Sequence, residues 1–161
     1  MAISSVVKNF RDGTLLLEDG TGTPLAVTVQ YEAGDFSLTG LTSGQKEITT
    51  YMDRGDLASV RHTNQTFPSV SFSAHLTDIS DGTELTLPDI ILQRGAFGSA
   101  VSTLGANADV YTLTLTWTVV EPGGASHVVV CPDVALSIDM SEGDPNSFAI
   151  SGTVYGTIAL T

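Results

Sequence analysis

The residues that could do chemistry in this chain are few and scattered. Its three histidines, His62, His75 and His127, include no i, i+4 pair and no HExxH-type run, so no single helix face offers a metal two imidazoles. His75, set among serines, reads as a polar-face residue rather than a ligand. Cys131 is the only cysteine, which rules out an internal disulfide framework and a thiolate zinc site. It precedes Pro132 and lies near Asp133, whose charge would raise a thiol pKa, so it reads as a small filler and not a nucleophile. DISDGTE (78–84) and SEGDPNS (141–147) could offer oxygen ligands to calcium, yet neither has the EF-hand spacing, and turns between strands favour these residues anyway. No GxSxG turn, glycine-rich phosphate loop or GxGxxG follows a strand. Arg54-Gly55-Asp56 spells an adhesion tripeptide and suits a hairpin tip equally well. Asn64-Gln65-Thr66 matches a glycosylation acceptor, which matters only in a secreted chain. The expectation is a protein without catalysis, cofactor or metal.

Charge narrows the partners. Eighteen acids against six Lys and Arg give a formal net charge of −12. From Pro68 onward Arg94 is the only base, and Lys46 is the last lysine. Binding nucleic acid through counterion release needs clustered cations, so a conventional nucleic-acid binder is not expected. No apolar run approaches the roughly 20 residues needed to span a bilayer as a helix. MAISSVVKNFRDG lacks the long apolar core of a secretory signal, which points to a protein made and kept in a cytoplasm until assembled.

The elements that would position any site are mostly strands. At 161 residues, without a repeat, linker or low-complexity run, the chain reads as one domain over 1–161. Thr14 to Leu17 and Leu25 to Tyr31 read as strands joined by EDGTGTP, and GDFSLT as a short third. Residues 40–67 read as a long hairpin-like loop with strands near 48–53 and 57–63. One short flanking helix is signalled at about 87–94. Thr86 is its N-cap, Pro88 lies in its first turn, Asp89 and Arg94 complement its dipole, Leu87, Ile90 and Ile91 form its apolar stripe, and Gly95 is its stop.

Four further stretches share one pattern. In VYTLTLTWTVV (110–120), Tyr111, Leu113, Leu115, Trp117 and Val119 alternate with Thr112, Thr114, Thr116 and Thr118. In 68–77, Val70, Phe72, Ala74 and Leu76 alternate with serines, His75 and Thr77. In 127–140, Val128, Val130, Val134, Leu136, Ile138 and Met140 fall opposite Val129, Cys131, Asp133, Ala135, Ser137 and Asp139. In 147–160, Phe148, Ile150, Val154, Ile158 and Leu160 alternate with small polar residues and Tyr155. Each has a fat apolar side and a small hydroxylic side with almost no charge, which describes a sheet with one face on a core. The fold class expected is mainly β, a β-sandwich or barrel. A monomer exposing an uncharged sheet face and open edges would recruit other chains. Copies closing into a ring would turn that face towards a lumen, since wide closed sheets leave aqueous interiors.

GDFSLTGL, YMDRGDLASVRHTNQTFPSVSFSAHLTD, TLPDIILQRGAFGSAVSTLGANADVYTLTL and IDMSEGDPNSFAISGTVYGTIA together resemble the major tail tube proteins of long-tailed, siphovirus-like bacteriophages, over roughly residues 12 to 160. The resemblance implies a virion structural subunit, made in the host bacterial cytoplasm, that forms stacked hexameric rings. Four strands per subunit would join an inner β-barrel through which DNA passes during ejection without specific binding, and other tail proteins would meet the tube ends. The loop near 40–67 would reach the neighbouring ring, which makes Tyr51, Met52, Arg54 and Arg61 candidate inter-ring contacts. Asp133, Ser137 and Asp139 are candidate lumen-facing residues, where carboxylates beside hydroxyls would repel phosphates. The rival readings are the tube protein of a contractile tail or secretion apparatus, and a ligand- or carbohydrate-binding β-sandwich. The second usually displays clustered aromatics, whereas here Trp117 falls on the apolar face and the tyrosines are dispersed.

Overall fold

The computed structural model describes residues 13–29, 35–76, 79, 84–121, 124–143 and 146–161. The fold is mainly β, sandwich- or barrel-like, with one short helix. Its elements are β1 (Thr14–Glu18), β2 (Ala26–Val29), β3 (Ser37–Thr39), β4 (Lys46–Asp53), β5 (Asp56–Gln65), β6 (Ser69–His75), α1 (Leu87–Leu92), β7 (Leu113–Val120), β8 (Ser126–Ser141), β9 (Ser147–Val154) and β10 (Ala159–Leu160). Two sheets result, both antiparallel. The larger runs β2-β1-β7-β8-β9-β6-β3, with β10 beside the first half of β8; the smaller is the β4–β5 pair alone. The hairpin expected within 40–67 is therefore present. The second expected strand is described only to Val29, because residues 30 and 31 lie outside the described set, as do the N-terminal segment and most of DISDGTE.

Alternation delivers the core. Leu15 and Leu17 of β1, Val27 and Val29 of β2, Val70, Phe72 and Ala74 of β6, Leu113 and Leu115 of β7, and Phe148, Ile150 and Val154 of β9 join one buried cluster. Both halves of the large sheet feed that cluster, so the sheet must coil round it. Each large side chain withdrawn there contributes roughly 1.5–3 kcal/mol.

The coiling happens at Pro132–Asp133. The second half of β8 pairs with β9 in one register, Val134 with Val154 through Ser141 with Ser147. Its pairing with β7 slips by one residue between Leu113–Val134 and Leu115–Cys131, and β10 meets Val129 and Val130 beyond the same point. An extra residue in one strand is a β-bulge, which bends the strand and increases its twist. Asp133 takes a left-handed backbone, φ 55°. Pro132, which has no ladder N–H to lose, is tolerated at such a site. The facing chain accommodates the bulge with Gly156, where an added Cβ would lie 2.6 Å from the Pro132 ring and 2.9 Å from its carbonyl oxygen.

The bulge overturns the face assignment expected for 127–140. Cys131 and Val134 are both buried, and Val129 packs on the core with Leu136 and Ile138. Val128 and Val130 fall on the outer side, because the extra residue inverts the phase of everything before it. Strict alternation carried through Pro132 puts them on the wrong face.

α1 spans Leu87–Leu92, two residues short of the expected end. Its Thr86 cap is formed, the Thr86 hydroxyl accepting from the Asp89 N–H at 3.3 Å, and Leu87, Ile90 and Ile91 are buried. Gln93, not Gly95, takes the left-handed stop, with φ 51°; Gly95 opens a following 3-10 turn through Phe97. Asp89 and Arg94 do more than complement a dipole. Asp89 is fully buried and accepts from the Arg94 Nε at 2.8 Å, so the guanidinium neutralises a carboxylate held out of water.

Candidate assembly surfaces

Two surfaces carry the features that folding alone does not use. The first is the outer face of β3, β6, β9 and the second half of β8. Residues paired across an antiparallel sheet point to the same side, so its rows follow from the register. Ser37 pairs with Ser71, Ser71 with Ser151, and Ser151 with Ser137; Thr39 pairs with Ser69, Ser69 with Thr153, and Thr153 with Ala135. Ser73, Ala149 and Asp139 make a third row, and His75, Ser147 and Ser141 a fourth. The Ser137 and Ser151 hydroxyls are 3.0 Å apart, and those of Ser141 and Ser147 are 3.3 Å apart. The middle of this face is dished, enclosing about 490 Å³ between Thr39, Ser69, Ser71, Ser137, Ser151 and Thr153.

Ser137 and Asp139 therefore lie together on the hydroxyl face, as the alternation expects. Asp133 does not join them. It sits at the bulge and accepts a hydrogen bond from the Thr103 hydroxyl at 2.8 Å, and Thr103 in turn lies 2.8 Å from the Thr112 hydroxyl. β7 also departs from the expected grouping. Thr112 precedes the strand and is fully buried in a network with Ser102 and Thr103. Thr114, Thr116 and Thr118 are half-buried; Thr116 lies between Leu16 and Val130, and Thr118 between Thr14 and Val128. β3 takes the place expected for β7 in the hydroxylic surface.

The second surface is the β4–β5 ribbon. Lys46–Asp53 and Asp56–Gln65 pair in register, with bulges near each end. At the tip, Arg54 and Gly55 have φ of 48° and 95°, the doubly left-handed geometry of a two-residue hairpin turn that matches strand twist. Arg-Gly-Asp is thus a hairpin tip. The base is tied down by the Gln45 side chain, which donates to the Gly156 carbonyl at 3.2 Å, and by Phe67 against Tyr155, with ring centroids 5.2 Å apart. Neither strand of the ribbon pairs with the large sheet.

One side of the ribbon is apolar. Ile48 opposes His62, Thr50 opposes Val60, and Met52 opposes Leu57. Ile48, Met52, Leu57 and Val60 are 60%, 59%, 61% and 52% exposed. The other side carries Thr49 with Arg61 and Tyr51 with Ser59. Of the four expected contact residues, Met52 belongs to the apolar side, Tyr51 and Arg61 share the polar side, and Arg54 is at the tip. Ile48, Leu57 and Val60 went unrecognised in the sequence. Leu57 and Val60 share a face only because the ladder slips between the Tyr51–Ser59 and Met52–Leu57 pairs, so no period-2 signal connects them.

The chemistry-bearing residues do not converge. His62 is on the ribbon, His75 on the hydroxyl face, and His127 on β8 with its Nε2 2.7 Å from a Glu121 carboxylate oxygen. Burial pushes the Cys131 thiol up to about 11, so its thiolate is scarce at neutral pH. Among the described residues no three His, Cys, Asp or Glu side chains are placed to hold a metal ion. No helix among them is long and apolar enough to cross a membrane. Trp117 stacks on Phe36, with ring centroids 5.5 Å apart, against the core.

The strongest carboxylate arrangement is structural. Asp19 is buried and accepts from the Leu25 N–H at 2.8 Å, the Val101 N–H at 3.0 Å and the Thr21 hydroxyl at 2.9 Å. Burial works to raise its pKa, but the donors from Val101, Leu25 and Thr21 together hold it below the ordinary value of 3.8. Tyr111 is pushed up to about 12, first by burial and then by the Asp19 charge.

Comparison with family models, curated proteins and solved structures gives no match. The two surfaces have to be interpreted from their own chemistry.

Proposed function

We propose that this chain is a structural subunit that assembles with copies of itself into stacked rings, forming a hollow tube of the kind built by the major tail tube proteins of long-tailed bacteriophages. One observation carries the reading: the β4–β5 ribbon exposes an apolar stripe and pairs with no other strand among the described residues. An isolated two-stranded hairpin is marginal in water. Contiguous exposed apolar surface on such an element marks an interaction site. Placing it against another subunit removes both costs.

The hydroxyl face supports the lumen half of the reading. Small side chains that hydrogen-bond to each other, with Asp139 in the paired rows and Asp35 bonded to Ser73 beside them, offer DNA no lysine or arginine and a weakly repulsive wall. The chain's net charge of −12 acts in the same sense, multiplied by the number of subunits in each ring. On this reading the protein works in a virion tail, other tail proteins meet its ends, and the genome crosses the channel without being held.

Negative-stain microscopy and sedimentation of the purified protein over a rising concentration series test the proposal. Rings or tubes are expected. A monodisperse monomer at every concentration overturns it.

A further inference from the structure

We propose that the apolar side of the β4–β5 ribbon seats in a groove between α1 and the far end of the β8–β9 pair on a second copy of the chain, a head-to-tail contact. This rests on the self-assembly reading above and names the surface that receives the ribbon. The groove encloses about 270 Å³ and is lined by Ile79, Pro88, Leu92, Ile138, Met140 and Phe148, with Arg94 at its rim. Ile79, Leu92 and Met140 are exposed, so three large apolar side chains flank the groove without cover from the described residues. Like the ribbon, it gathers exposed large apolar side chains in one place among the described residues.

Three observations commit the groove to the ribbon of another copy. The first is position. The ribbon leaves the body where Gln45 bonds Gly156, just beyond the Val154 end of β9, whereas the groove lies at the end where Met140 pairs with Phe148. Six residue steps along β9, about 20 Å, separate Phe148 from Val154. The root of the ribbon and the groove are thus at opposite ends of the same strands. Copies stacked end to end bring one to the other, and a contact between two different patches repeats into an open stack.

The second is charge. The segment 40–67 holds Lys46, Arg54 and Arg61 against Glu47, Asp53 and Asp56, so it is neutral. The rest of the chain keeps fifteen of the eighteen acids and only three of the six bases. Two acidic bodies repel, and a neutral ribbon is the element that can approach one at low electrostatic cost. The third is the state of the cation at the groove. Arg94 bonds one oxygen of buried Asp89 through Nε and donates to the Ile79 carbonyl at 3.0 Å, so this guanidinium is already engaged and an apolar occupant does not strip it of its partners.

Site-directed cross-linking tests this. One chain carries Met52→Cys and a mass tag, and another carries Leu92→Cys; Cys131 stays in place because it is buried. The two are mixed, the assembled fraction is separated by sedimentation, and both fractions are oxidised. A tagged–untagged disulfide confined to the assembled fraction is the expected result, and a double variant should yield a ladder of linked chains. Tagged dimers alone would mean that ribbons pair with ribbons, and no disulfide in assembled material would mean that the groove is not the acceptor; either overturns the inference while leaving self-assembly standing. Leu92→Asp supplies the second arm. It should melt as the wild type does and cut the assembled fraction about tenfold or more. Assembly at the wild-type level by that variant also overturns the inference. A wild-type chain that never assembles removes the parent reading, and this one with it.

Discussion

Cys131 and Val134 are buried in the same core although they stand three residues apart in one strand. Regular strands bury residues two or four apart, so this pair records the bulge at Pro132–Asp133 directly. Everything else about the large sheet depends on it. The bulge bends β8 so that its first half packs with β7 and its second with β9, round a shared core. It also sends the valines before it and the serines after it to the same outer surface.

Asp133 is then a folding residue. Its left-handed backbone tolerates Asp, Asn or Gly and penalises β-branched side chains. Asp133→Val should cost about 1–3 kcal/mol through that strain, with the lost Thr103 hydrogen bond adding to it. Asp133→Gly should cost less. Urea denaturation midpoints of the two variants give the order.

Gly152 lies on the core side of β9, where an added Cβ would come within 2.6 Å of the Ala135 carbonyl oxygen and 2.7 Å of the Leu136 side chain. The carbonyl belongs to the ladder and cannot swing aside. Gly152→Ala is therefore expected to lower stability by about 1–3 kcal/mol, read as a fall in Tm.

The ribbon should behave in the opposite way. Ile48→Ser with Val60→Ser removes exposed apolar surface, so the stability of the isolated chain should change by no more than about 0.5 kcal/mol per site. Assembly should fail. Thermal melts beside sedimentation separate the two effects, and a double variant that still forms tubes would remove the ribbon from the interface.

Asp19 sets an acid limit. Its folded pKa is depressed, so its contribution is complete above the unfolded value of 3.8 and is lost as pH falls through the lower folded value. Asp19→Asn should lower stability by about 1–3 kcal/mol between pH 5 and 8. The gap from the wild type should close as pH drops below about 4. A gap that stays constant to pH 2 would contradict the assignment.

Asp139 tests the channel. With Asp133 held by Thr103 and Asp35 accepting from the Ser73 N–H and hydroxyl beside the rows, Asp139 is a carboxylate within the paired rows that neither bond engages. Asp139→Lys places one cation per subunit on that wall, and DNA release from particles built with it should slow, most visibly at low salt where screening is weak. Release at the wild-type rate would show that this face does not meet DNA.

The sequence by itself determined the strand content, the capped helix at Thr86, the hairpin within 40–67 and the hydroxylic side of β6, β9 and the end of β8. Period-2 alternation and capping chemistry are local, and each of those segments is governed by neighbours within a few positions. Only the tertiary structure decided which strands share a surface. The bulge at Asp133 inverts the phase of half a strand, Thr112 is drawn inside by Ser102 and Thr103, and β3 replaces β7 on the serine face. The apolar stripe of the ribbon was hidden for the same reason: Met52 meets Leu57 only through a register slip. A one-residue shift costs nothing in the pattern of residues along the chain, yet it flips every side chain beyond it, and it is the long-range pairing that fixes where the shift falls.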